Sequence, residues 1–301
     1  MRVSTSQLFQ QRVTALLAQQ EQLGKTEIQL ATGKRVMTAA DDPLAAVRNL
    51  QLGDQLARLD QYQKNVDTAS SRLDQEEGVL ASSADLLQRV RELAVNGLNA
   101  TNGPAELKSL AFEVREHLDQ LLNLANTRDA NGEYLFSGYQ GDTEAYTADG
   151  VGNFSYNGDQ GQRHLQISSS RQIAVADHGV RVFEGIATAA GGVASTFDIL
   201  YNFAESLNAG SPDPDILTDI DAALNRTFDV RAEVGSRLRS LEDQRNTNSA
   251  VALHFEGERS DIMDLDYAEA ISRFNQQLLA FETSQQVFSK VQGLSLFDYL
   301  G

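Results

Sequence analysis

Cysteine and tryptophan are both absent from the 301 residues. No disulfide and no thiolate chemistry is available, and cysteine usage says nothing about the redox compartment. Proline is scarce, with only four residues, at 43, 104, 212 and 214. None interrupts a helical repeat. Each stands where a helix could begin, a position at which its missing N–H costs little. Basic side chains are outnumbered, 25 against 42 acidic ones, for a net charge of −17. No Lys/Arg-dense window exists, so neither nucleic acid nor an anionic membrane is indicated as a partner. No apolar run reaches the ~18 residues of a membrane-spanning helix. The opening MRVSTSQLFQQRV lacks the apolar core of a secretory signal. The plain expectation is a cytoplasmic protein, the exception being one exported without a cleaved signal.

Recognisable chemistry is missing as well. Histidines 117, 164, 178 and 254 show no metal-ligand spacing. The acidic group Asp261, Asp264, Asp266 and Glu269 lacks the alternation and central glycine of a calcium loop, and reads as a solvated helix start. Gly138-Tyr-Gln-Gly141 and Gly191-Gly192 match no phosphate-binding fingerprint. The sequence predicts no catalytic residue, no cofactor and no metal, hence no enzyme.

What is present is heptad spacing. Phe9, Val13, Leu16, Gln20, Leu23, Glu27 and Leu30 step four and three alternately, a weak coiled-coil stripe with two polar members. The stretch ATGKRVMTAADDPLAAV, residues 31–47, then interrupts it. Asp42 is the natural N-cap of a second helix beginning at Pro43 and running to about Asn99. Its stripe is Val66, Ala69, Leu73, Glu76, Leu80, Ser83, Leu87, Val90, Ala94 and Gly97. A third helix starts at Pro104. Residues 131–192 hold 11 of the 22 glycines and several short alternating runs, among them Phe154–Tyr156 and His164–Ile167. They read as a small antiparallel β insert. Helix returns after Gly192, and a heptad run extends from Leu217 to Phe255. The pattern weakens from Gly257 to Asp266, before a last stripe of Tyr267, Ala270, Phe274, Leu278, Phe281, Gln285 and Phe288.

The predicted fold class is mainly α with a small β insert. Long antiparallel heptad helices form a rod with a β head and coiled-coil ends. Five segments follow: 1–40 an N-terminal assembly helix, 41–130 and 193–257 the two halves of the rod, 131–192 the β insert, and 258–301 a C-terminal assembly helix. Phe9, Val13, Leu16, Leu23, Leu30, Phe274, Leu278, Phe281, Phe288, Leu296 and Phe297 are the candidate assembly interface. Short end helices bury little, and an exposed apolar helix face marks an interaction site. Gly33, Asp42, Pro43 and Gly257 are candidate hinges, flanking the two breaks in the helical pattern.

Particular stretches resemble the bacterial flagellin superfamily. They are LATGKRVMTAADDPLAAVRN (30–49), LLQRVRELAVNGLNAT (86–101) and residues 237–290. DANGEYLFSGYQGDTEAY (129–146), SYNGDQGQRHLQIS (155–168) and the ending Ser295–Leu300 are similar to the hook-associated protein 3 family. The resemblance implies a structural subunit at the hook–filament junction, exported unfolded by the flagellar type III route without a cleaved signal peptide. Implied partners are hook-associated protein 1, flagellin, further copies of the chain in a ring, and an export chaperone. Implied too is an extracellular place in the flagellum. Alternatives are a filament flagellin and, from a different class, a soluble coiled-coil adaptor.

Overall fold

A computed structural model describes the backbone of residues 5–300 and the side chains of residues 7 and 9–290. It contains seven helices among the described residues: α1 Thr5–Thr32, α2 Pro43–Gly97, α3 Pro104–Ala125, α4 Gly179–Phe183, α5 Thr196–Asn208, α6 Ile216–Met263 and α7 Tyr267–Leu300. Six short strands form three separate antiparallel ribbons: β1 Tyr146–Ala148 with β2 Phe154–Tyr156, β3 His164–Gln166 with β4 Gln172–Ala174, and β5 Ile186–Ala187 with β6 Val193–Ala194. The insert is thus not one sheet. Tyr134–Phe136, which alternates like a strand, forms only an isolated bridge from Tyr134 to Arg128, and its side chains are buried.

The chain divides into two compact units, a terminal one up to Arg58 and from Ala250 onward, and a central one from Leu59 to Ser249. Their limits fall inside α2 and α6. The segment limits read from the sequence, at 40 and 257, differ from them.

The central unit follows its heptads closely. All ten members of the α2 stripe are buried. Leu107, Leu110, Val114, Leu118, Leu121 and Ala125 of α3 are buried as well, and α3 packs on α5. Helices α2 and α6 run antiparallel here, tied by Arg91–Asp221 at 2.6 Å, Glu77–Arg231 at 2.5 Å and Asp67–Arg245 at 2.9 Å. Such half-exposed pairs set register more than they stabilise. The three ribbons accompany an aromatic cluster of Phe136, Tyr146, Phe154, Phe183 and Phe197, with ring centroids 4.7–5.9 Å apart. Edge-to-face and tilted contacts of this kind add to the burial of large rings. Burial and the nearby Glu184 carboxylate push the Tyr146 phenol far above its ordinary value.

Candidate assembly surface

The terminal unit is built differently. Helices α1 and α7 pack antiparallel, since Thr26 Oγ1 donates to Gln277 Oε1 at 2.8 Å while the rings of Phe9 and Phe288 lie 5.5 Å apart. The seam is slipped from the predicted one. Gln20, Glu27 and Gln285 are exposed, whereas Gln19, Thr26, Gln277 and Ser284 turn inward. The slip is tolerated because Thr26 and Gln277 satisfy each other, and a buried polar pair with its hydrogen bond made is inexpensive. Val13, Leu16, Leu23, Leu30, Phe274, Leu278, Phe281 and Phe288 are all half-buried on this helix pair, and Phe9 is 46% exposed. Leu296 and Phe297 lie outside the residues whose side chains are described.

A seam this thin gives the described part of the unit little core. Of 48 buried apolar residues among those described, the terminal unit holds Val36, Ala45, Leu52, Leu265 and Ala270 only. All but Leu52 lie in or beside the segments that link α1 to α2 and α6 to α7. By contrast, 12 of the 18 exposed large apolar side chains among the described residues belong to this unit. These outward residues include Leu17, Ile28, Leu50, Leu253, Ile271 and Leu279, and apart from Phe9 and Tyr267 they differ from the residues that the spacing singled out. Their signal in the sequence is faint: apolar residues lying off the heptad stripe. A groove of about 280 Å³ also opens along the seam between Arg12, Leu16 and Gln19 on α1 and Thr283, Val287 and Phe288 on α7.

Charge is divided in the same sense. The terminal unit carries 10 basic and 13 acidic residues, a net −3, against 15 and 29, a net −14, in the central unit. A nearly neutral apolar surface can lie against another such surface. A strongly acidic one repels its like.

The two breaks in the helical pattern meet and lock. Arg35 N–H donates to Met263 O at 2.8 Å, and Leu265 N–H donates to Gly33 O at 2.9 Å, making a bridge between Lys34 and Asp264. Gln29 Nε2 donates to Arg35 O at 2.7 Å, and Arg35 Nη2 to Ile262 O at 2.6 Å. Gly33 turns the chain at φ +69°, and a Cβ there would stand 2.7 Å from the Tyr267 hydroxyl. Asp42 caps α2, which begins at Pro43, by accepting from Ala45 N–H at 3.0 Å, an interaction that holds its carboxyl below the usual range. Asp41 accepts from Lys25 Nζ at 2.5 Å, from Thr38 N–H at 3.0 Å and from Met37 N–H at 3.2 Å. The Lys25 contact, then the Thr38 amide, draw its carboxyl far below the usual range. Asp266 caps α7 through the amides of Ala268 at 2.9 Å and Glu269 at 3.1 Å. Glycine flexibility plays no part at the second break. Gly257 lies inside α6, and the helix runs on past it to Met263. One helical glycine costs only about 1 kcal/mol relative to alanine and does not end a helix.

Comparison with known proteins gives the class, a flagellin-type structural protein. Residues 3–141 match the bacterial flagellin N-terminal helical region, and residues 217–300 match the bacterial flagellin C-terminal helical region. Flagellar hook-associated protein 3 of Escherichia coli (strain K12) is 31% identical over 317 residues, covering 99% of each chain. The protein of that name from Salmonella typhimurium is 29% identical, with 99% of each chain covered. In fold, the crystal structure of hook-associated protein 3 from Legionella pneumophila superposes with a TM-score of 0.66 at 20% identity, over 70% of this chain and 98% of that one. The chain belongs to the hook-associated protein 3 family of flagellar structural proteins.

Proposed function

We propose that this chain is the structural subunit that joins hook to filament in the bacterial flagellum, and that its terminal unit is the part that assembles. The observation carrying the second half is the distribution of apolar surface: among the described residues, the terminal unit has five buried apolar residues against twelve large exposed ones. Burial of apolar area is worth roughly 25 cal/mol per Å², and this unit has little of it to use alone. Neighbouring subunits supply the missing cover. Hook-associated protein 1 on one side, flagellin on the other and further copies of the chain in a ring are the partners this reading assigns. An export chaperone shields the C-terminal helix beforehand, and the chain leaves the cell unfolded. The absence of cysteine suits that route, because no cross-link can form before export.

Leu279→Asp tests the assembly surface. Leu279 is 66% exposed, so the isolated subunit should unfold as the wild type does. In cells lacking the native gene, the variant should fail to enter flagella, and flagellin should be lost to the medium. Phe112→Asp, at a central-unit residue 68% exposed, is the control and should be tolerated. Normal motility with Leu279→Asp would remove the proposal. Phe281→Asp is a poorer test, since Phe281 sits in the α1–α7 seam and its loss perturbs the subunit itself.

A further inference from the structure

Two carboxylates are buried together in the central unit, where α2 and α6 meet the segment 162–181. Glu76 of α2 is 1% exposed, and the side chain of Asp177 is fully buried. Asp177 accepts from Gln162 Nε2 at 2.6 Å and from Arg237 of α6, and Arg181 of α4 stands 3.6 Å from it. Arg181 is shared with Glu233 of α6. The Asp177 N–H donates to Glu76 Oε1 at 3.2 Å. Glu76 Oε2 and Arg237 Nη1 are buried without a partner. His178 follows in the chain, its ring accepting from Arg181 N–H at 3.2 Å, and burial holds its proton affinity below the ordinary histidine value.

The charges do not balance inside this cluster. Asp177 takes the guanidinium of Arg237, and half of Arg181 is committed elsewhere. A second ionised carboxylate at Glu76 would be buried without a counter-charge, and a buried carboxyl so placed keeps its proton. We propose that Glu76 is a proton-binding site of the folded chain, and that its neutral carboxyl latches the segment 162–178 onto α2 and α6 until rising pH removes the proton. Burial first, and the Asp177 charge second, raise Glu76 well above the 4.5 of an ordinary glutamate. The folded state therefore holds a proton that the unfolded state releases. This contribution to stability is complete below about pH 4.5 and is lost as pH rises through the folded value. The spacing of α2 already marks the position, since Glu76 is the one charged member of an otherwise apolar and small stripe.

The experiment compares the full chain with its Glu76→Gln form, which keeps the shape and removes the titration. Glu184 is replaced by glutamine in both, because burial raises that carboxyl too. Urea unfolding and hydrogen exchange of residues 164–177 are followed at several pH values between about 5 and 9. The folding constant of the Glu76→Gln form relative to its parent should rise about tenfold per pH unit until the proton is lost. The protection factor over residues 164–177, which takes out the intrinsic rise of exchange with pH, should fall in the parent alone. A ratio independent of pH overturns the proposal. Should Glu76→Gln fail to fold, infrared spectra of the parent decide. A buried protonated carboxyl band at about pH 6, above the ordinary glutamate range, that vanishes as pH is raised supports the latch, and no such band overturns it.

Discussion

Gly33→Ala is the sharpest perturbation of the locked joint. Gly33 sits at φ +69°, where an L side chain costs roughly 1–2 kcal/mol. Its new Cβ would also stand 2.7 Å from Tyr267 Oη, with the next ring atom at 3.7 Å, an ordinary contact. Tyr267 is 52% exposed, so its ring can move aside, and this adds no more than about 1 kcal/mol, the size of an off-rotamer side chain. The sum is about 1–3 kcal/mol, roughly a five- to 150-fold rise in the open population of the joint at a factor of ten per 1.4 kcal/mol. Trypsin reports it directly. Lys34 and Arg35 are held by the bridge to Asp264 and Met263, and cleavage after them needs that bridge broken. Cleavage there, followed by mass spectrometry at low protease, tracks the open population. Tyr267→Phe should restore the steric part and leave the backbone part. Gly33→Asn should be milder than alanine, because asparagine tolerates this region of φ. A Gly33→Ala chain cut no faster than the wild type would refute the idea that the joint is a fixed brace.

Two further outcomes follow from the terminal unit. Thr26→Val removes the donor to Gln277 and leaves a half-buried amide oxygen unmatched, a loss of about 1–2 kcal/mol, seen as faster hydrogen exchange in α1 and α7. Asp41 and Asp42 have depressed folded values, so their contribution is complete above the ordinary 3.8 and disappears as pH falls below it. Protection of the 33–42 loop against exchange should therefore be level from neutral pH down to about 4 and fall beneath that. A Lys25→Met form should lose part of the Asp41 contribution and show a shallower fall.

Regular burial explains which parts of the fold are legible in the sequence. The stripe from Val66 to Gly97 can be read residue by residue because it meets solid neighbours along its whole length in the central unit. The stripe of α1 is readable only approximately. Its polar members can trade places with Thr26, where the hydrogen bond to Gln277 makes the exchange cheap, whereas Gln19 turns in with its side-chain oxygen unmatched. Gly257 misleads for a related reason: no proline follows it, the α6 ladder continues, and the stop signal is the aspartate cap at Asp266. Turn residues and alternation reveal the β content of the insert, but not the pairing into three ribbons, which depends on contacts distant in the chain. The outward residues of the terminal unit recur at helical spacing, Leu44, Val47 and Leu50 on α2 and Ile271, Leu279 and Val287 on α7, but off the stripe that the heptads mark.

Electron microscopy of isolated flagella, with an antibody or tag directed to the exposed loop around Val151, addresses the proposed function most directly. Label confined to a single narrow band between hook and filament is the predicted result. Label spread along the filament would instead make the chain a filament subunit, and flagella without label would contradict the assignment altogether.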